Sequence, residues 1–273
     1  MSLEKETKLE PIINLKQINK IALICLKPNE IYLEFLNKFS NYEVYIIIDD
    51  NSVNYSVLYQ TKYSNLKFIQ ISEKVCRQNG FINVNKIGVK KLISGWDKAL
   101  CFCALNFSNT NENTNTKIWF IEDDIFFHNE DTLLKIDAKY PDYDLLANSE
   151  FNPVFDMNTW LWHPYWNIKI KIEKPYYCGM MCATRLSQNV LKRIRVYATL
   201  YKELFFLEAL IPTLSKSKPN GNPVMLSCYC PDELKTILYR HDYTSEQVSN
   251  KDNIYHPVKD ILQHSEFRNQ LTI

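Results

Sequence analysis

The sequence predicts an α/β protein, a sheet covered by helices. Three observations carry that expectation. Short apolar, β-branched runs alternate with segments of helical spacing as far as residue 147. Two of the runs, YIII and WFI, stop abruptly at clusters of acids. The 273 residues are 46% hydrophobic and 23% charged, an ordinary globular balance that supplies ample core.

The elements follow in order. Residues 20–26 (KIALICL) have strand character. Residues 29–39 (NEIYLEFLNKF) have helical spacing, with Asn29 placed to cap them. EVYIII (43–48) is a strand that ends in turn chemistry at Asp49-Asp50-Asn51-Ser52. LKFIQI (66–71) is a third strand, followed by a polar loop and a helix over 88–106. SNTNENTNT (108–116) reads as a surface loop. KIWFI (117–121) is a buried strand that runs into Glu122-Asp123-Asp124. Residues 130–139 suit a helix and 143–147 a strand; 151–167 are aromatic and irregular; PYYCGMMCA (175–183) is a strand. A helix starts near Arg185 or Ser187 and runs to about Lys202. The segment ELFFLEALIPTLS is helical and broken by Pro212. Strands are expected at 223–229 and 236–240, and a short helix in the tail after His256.

Composition excludes several classes. Lys plus Arg is 32 against 31 for Asp plus Glu, so phosphate-neutralising nucleic-acid binding is disfavoured. The five glycines, at 80, 88, 95, 179 and 221, form no dinucleotide loop, Walker loop or nucleophile elbow. The first twenty residues are charged and lack the apolar core of a signal peptide, and no run spans a bilayer, so a soluble cytoplasmic protein is expected. None of the eight cysteines forms CxxC, and the spacings CxC, CxxxC and CxC lie in apolar surroundings. Buried reduced thiols are expected, with a zinc site assembled from these pairs as the alternative.

Ligands bind at the carboxyl ends of strands in such sheets. Two strands here end in acids at that edge. Three consecutive carboxylates repel one another, and a divalent cation relieves the repulsion. IIIDDNS (46–52) and WFIEDDIFF (119–127) resemble motifs of nucleotide-sugar-dependent glycosyltransferases of the GT-A fold, the second resembling their DxD metal motif in its Glu-Asp-Asp form, as in N-acetylglucosaminyltransferases. The resemblance covers roughly residues 20–210. It implies a GT-A mixed sheet flanked by helices. Residues 1–18 would be a lead-in to one catalytic domain, 19–273, with a nucleotide-sugar half at 19–150 and an acceptor half at 151–273.

What the resemblance implies for residues is specific. Asp49 or Asp50 would hold the nucleoside. Asp124 would ligate Mn²⁺ or Mg²⁺, with Glu122 on the ribose or a metal-bound water and Asp123 beside them. Lys27 falls near the base. Lys98 would offer a cation to the phosphates, unless Asp97-Lys98 is an exposed helical pair and Trp96 core. Trp160, Trp162 and Trp166 would stack on an acceptor sugar, and Gly179 would let the donor sugar approach. His256, with Lys259 meeting the diphosphate, fits a late metal ligand; His241 with Arg240 is the alternative. An inverting transferase needs a base, and Glu208, the acid in an apolar segment, is the candidate, with Glu203 and Glu150 as competitors.

The expected activity is therefore metal-dependent transfer of a hexosyl or N-acetylhexosaminyl group, most simply from a UDP-sugar, to a glycan or other hydroxyl acceptor. The alternatives are a non-catalytic nucleotide-sugar or carbohydrate-binding protein on the same fold, and a metal nuclease through Pro231-Asp232-Glu233-Leu234-Lys235.

Overall fold

The computed structural model describes residues 19–85, 92–108, 116–148, 153–154, 172, 175–216 and 228–270. The chain builds β1 (Asn19–Cys25), α1 (Glu30–Leu36), β2 (Tyr42–Ile48), α2 (Tyr55–Tyr59), β3 (Leu66–Ile69), α3 (Glu73–Asn79) and α4 (Gly95–Phe107). It continues with β4 (Lys117–Glu122), α5 (Glu130–Lys139), β5 (Leu145–Asn148), β6 (Pro153–Val154), β7 (Tyr176–Tyr177) and β8 (Met180–Ser187). The last elements are α6 (Gln188–Tyr201), α7 (Leu207–Lys216), β9 (Cys228–Tyr229) and α8 (Ile261–Gln270).

Seven strands form one mixed sheet in the order β3-β2-β1-β4-β8-β5-β9, and β6 pairs with β7 separately. β3, β2, β1 and β4 are parallel, while β8 runs antiparallel to both β4 and β5. Strand order reverses beside β1, since β2 and β3 lie on one side and β4 on the other. Such a reversal opens a crevice at the carboxyl ends of the strands.

Both faces of the sheet are covered, which is why the central strands read as unbroken apolar runs. Ala22, Ile24, Ile118 and Phe120 pack under α4, α6 and α7. Ile21, Leu23, Trp119 and Ile121 pack under α1 and α5. A strand apolar on both faces does not fix its own register by alternation. Polar groups do so for β8. Trp119 of β4 stands opposite Arg185 of β8. The fully buried Arg185 places Nη1 2.6 Å from Oδ1 of Asp137 in α5, and the Trp119 Nε1 donates to the same oxygen at 3.1 Å. Tyr42 and Asn19 donate to the other oxygen, each at 2.7 Å.

The helices start where their caps dictate. Asn29 caps α1, Asn129 caps α5 and Ser187 caps α6, each accepting from a first-turn amide. Four expectations are corrected. The helix expected over 88–106 begins at Gly95 in the described residues, because Ser94 and Asp97 close a capping box there. The polar loop expected after residue 71 contains a short helix at 73–79, capped by Ser72, and a further short helix, capped by Asn54, occupies 55–59. Residues 236–240 form no ladder; Ile237 makes an isolated bridge to His256.

The fourth correction concerns Pro212, which lies inside α7 and does not break it. A proline cannot donate to the carbonyl four residues back. That carbonyl belongs to Glu208, and it accepts instead from the Gly179 amide at 2.8 Å. The lost bond is replaced across the fold.

None of the eight cysteines forms a disulfide. Cys25, Cys76, Cys101 and Cys103 are buried as expected, whereas Cys178, Cys182, Cys228 and Cys230 are only partly covered. No described helix is long and apolar enough to cross a membrane.

Gly80 ends α3 with φ of 80°, and a Cβ there would sit 2.1 Å from the Ala198 carbonyl oxygen. Gly80→Ala is expected to cost about 2 kcal/mol or more, since strain and backbone collision add. A urea unfolding midpoint equal to that of the native chain would contradict this account.

Candidate functional site

The crevice gathers four parts of the chain. β4 delivers Glu122, Asp123 and Asp124 at its carboxyl end. The turn after Asp124 then pairs with a distant segment: Phe126 and Tyr255 exchange backbone hydrogen bonds at 2.9 and 2.8 Å, and the Val258 amide donates to the Asp124 carbonyl at 2.8 Å. This brings His256 against Asp124, with Nε2 3.5 Å from Oδ2. Nδ1 of His256 lies 2.7 Å from the Leu238 carbonyl, which fixes it as the protonated nitrogen. Nε2 is thereby left facing the acids.

β8 supplies the third part. Its register places Ala183 opposite Ile121, so one step on, Cys182 comes beside Glu122. Among the described residues, Glu122, Cys182 and His256 form the group able to hold a metal ion, with ligand atoms within 4.8 Å of one another. Glu122 is positioned from the fourth part, α4: Trp96 Nε1 donates to its Oε1 at 2.6 Å, and the Trp96 ring stacks on Phe120. Asp124 Oδ1 is buried with no hydrogen-bond partner. An unmatched carboxylate oxygen in that position fits a cation, as does Nε2, which faces the same acid.

Electrostatics agree with the geometry. Burial raises the Glu122 carboxyl, and the charge of Asp124 adds to it against the opposing Trp96 bond and His256. Burial lowers His256, but Asp124 outweighs that and the net shift is upward. Burial, then Glu122, raises the Cys182 thiol. Glu208, in the first turn of α7, is pushed up to about 7 by burial and then by Glu122, with His256 opposing. A carboxyl held there is half ionised near neutral pH, as a general base requires.

The other expected residues fall as follows. Asp49 takes the buried Lys98 on its Oδ1 at 2.7 Å, and the same ammonium also donates to the Asp49 carbonyl. The pair Asp97-Lys98 is thus buried, not an exposed helical pair. Asp50 closes its own turn, accepting from the Ser52 amide at 2.8 Å, its hydroxyl at 2.9 Å and Tyr55 at 2.7 Å; these bonds hold it down to about 2. Lys27 lies 3.7 Å from Asp50 and is largely exposed. Asp123 and Lys259 are exposed at the crevice edge. His241 packs edge-on against Tyr243. Glu203 precedes α7. Trp160, Trp162, Trp166 and Glu150 lie outside the described residues. The nuclease alternative finds no acid cluster: Glu233 is bound by Lys139 and Tyr140, and Asp232 by Lys235. Sequence reasoning did not assign Cys182 or Trp96 to the metal site, because only strand order and helix placement bring them to Glu122.

Gly95 lets α4 approach the strand ends; a Cβ would lie 2.9 Å from Ile24 Cγ2. Asp97, next in this turn, accepts from the Val84 amide at 3.0 Å and from Ser94, yet burial still raises it to about 6. The folded state therefore holds this proton more tightly than the unfolded chain, so Asp97 lowers stability as pH rises from the unfolded value towards about 6. Between about pH 5 and about pH 7.5 the native chain is expected to lose about 1 kcal/mol relative to Asp97→Asn. Parallel melting curves for the two proteins across that range would refute the shift.

No protein-family model matches the chain, and no curated protein matches it significantly. Among solved structures, the chain is similar to the apo form of mouse xyloside xylosyltransferase 1, at 10% sequence identity and a TM-score of 0.37, over 72% of this chain and 80% of that one.

Proposed function

We propose that the chain is a metal-dependent glycosyltransferase of GT-A type that moves a sugar from a nucleoside-diphosphate sugar to a hydroxyl acceptor. The observation that carries this reading is the convergence of Asp124, His256, Glu122 and Glu208 on one crevice, where the strand order reverses. The resemblance of IIIDDNS and WFIEDDIFF to the family's motifs supports it independently of the geometry.

Asp124 and His256 would hold Mn²⁺ or Mg²⁺, with Glu122 beside them. Bound there, the ion would neutralise the diphosphate leaving group and act as a Lewis acid. Asp49, ordered by Lys98, would receive the nucleoside, with Asp50 shaping the turn beneath it. The exposed Lys27 and Lys259 would reach phosphate oxygens. Glu208 would take the proton from the acceptor hydroxyl as it attacks the anomeric carbon, giving inversion. The tryptophans at 160, 162 and 166 would offer the acceptor a stacking face. The transferred group would be a hexose or N-acetylhexosamine, with UDP as the first nucleotide to test.

Binding to the folded state alone raises the melting temperature. A UDP or GDP compound is expected to raise it only with Mn²⁺ present, and Asp124→Ala should abolish both this shift and transfer while the apo protein stays folded. No shift with any nucleoside diphosphate would overturn the reading. Metal-dependent binding without turnover would favour the non-catalytic alternative.

Glu208→Gln should keep the metal-dependent shift and lower kcat by about 10²- to 10⁴-fold, the usual range for a lost general base. An unchanged kcat would remove Glu208 from that role.

A further inference from the structure

We propose that Glu122, Cys182 and His256 form a site for a borderline-soft divalent cation of the Zn²⁺ class, with the fourth position open to water or substrate. The inference concerns the same crevice as the functional reading and rests on that reading for the role of the ion, not for whether the ion binds.

Oxygen-only sites suit Mg²⁺, which demands near-octahedral geometry and sheds water reluctantly. This site offers one sulfur, one nitrogen and carboxylate oxygen, the set that favours Zn²⁺ and Co²⁺ over Mn²⁺ and Mg²⁺. The three ligand atoms lie within 4.8 Å of one another. Bonds of about 2.0–2.3 Å in a tetrahedron place donors about 3.5 Å apart, so the donors need to close by little more than about 1 Å.

The surroundings are already arranged for ligation. His256 has Nδ1 committed to Leu238 at 2.7 Å, leaving Nε2 as the donor. Its backbone is held on both sides, the amide donating to Thr236 at 3.2 Å and the carbonyl accepting from Leu238 at 2.9 Å. Glu122 is anchored through Oε1 by Trp96, which leaves Oε2 for an ion. Asp124 Oδ1 is buried and unmatched. Outer hydrogen bonds of this kind fix the tautomer and orientation of metal ligands. On binding, Cys182 gives up its proton to solvent and ligates as the thiolate.

Co²⁺ titration of the metal-stripped full chain tests this. A near-ultraviolet thiolate-to-cobalt absorption should grow to saturation at a single equivalent, vanish in Cys182→Ser and be displaced by Zn²⁺. Cys182→Ser should weaken Zn²⁺ by at least about tenfold. Mn²⁺ affinity, read by its paramagnetic resonance, should change less than about threefold. Cobalt binding without the sulfur band, or a band unchanged in the variant, overturns the proposal. Should Cys182→Ser not fold, alkylation of the native protein decides: Zn²⁺ must protect Cys182 from iodoacetamide, as mapped by peptide mass, and an unprotected Cys182 at saturating Zn²⁺ overturns it. A Mn²⁺-dependent nucleotide shift that persists while the cobalt result fails would sink this inference alone.

Discussion

The register of β8 against β4 is the constraint on which the crevice depends. The interior of β4 is apolar on both faces, so its hydrophobic patterning alone does not choose among pairings. The Arg185–Asp137 ion pair makes the choice, because moving β8 would leave a buried guanidinium without its carboxylate. With Arg185 opposite Trp119, Cys182 arrives at Glu122. A slip of one residue would turn the thiol to the other face of the sheet. The polar network on the α5 side thus determines the composition of a site at the far end of the same strands.

Charge is balanced across the crevice in two separate ways. On the β2 side, each acid has a protein partner: Lys98 for Asp49, and Ser52 and Tyr55 for Asp50. On the β4 side the balance is incomplete. Asp124 faces a histidine at 3.5 Å and keeps one buried oxygen unmatched, and Glu122 is raised by its surroundings. The first half is finished by the protein itself, while the second has capacity left for a ligand. That asymmetry separates the two edges more clearly than the matching acid pairs in the sequence do.

The strands and their acidic ends were legible because they depend on local chemistry. A β-branched run stops at carboxylates, and β2 and β4 end within a residue of where that rule places them. Of the two late histidines, it is His256 that the bridge between Phe126 and Tyr255 brings against Asp124. Three features were not legible. Lys98 looks like a solvated helical charge in sequence, and only the docking of α4 on the strand ends buries it. Cys182 depends on antiparallel insertion of β8 between β4 and β5, which local pattern does not encode. Short helices such as α2 and α3 bury little and rest on their caps, so no apolar periodicity announces them.

Pro212 has a consequence beyond the shape of α7. An imino ring leaves the carbonyl four residues earlier unclaimed, and here the claimant comes from outside the helix. The Glu208 backbone is tied to Gly179, three residues before Cys182 along the chain. The acid and the thiol therefore share a strut, and a displacement of the first turn of α7 is carried to the amino end of β8. A residue usually counted as a helix breaker couples a candidate proton acceptor mechanically to a candidate metal ligand.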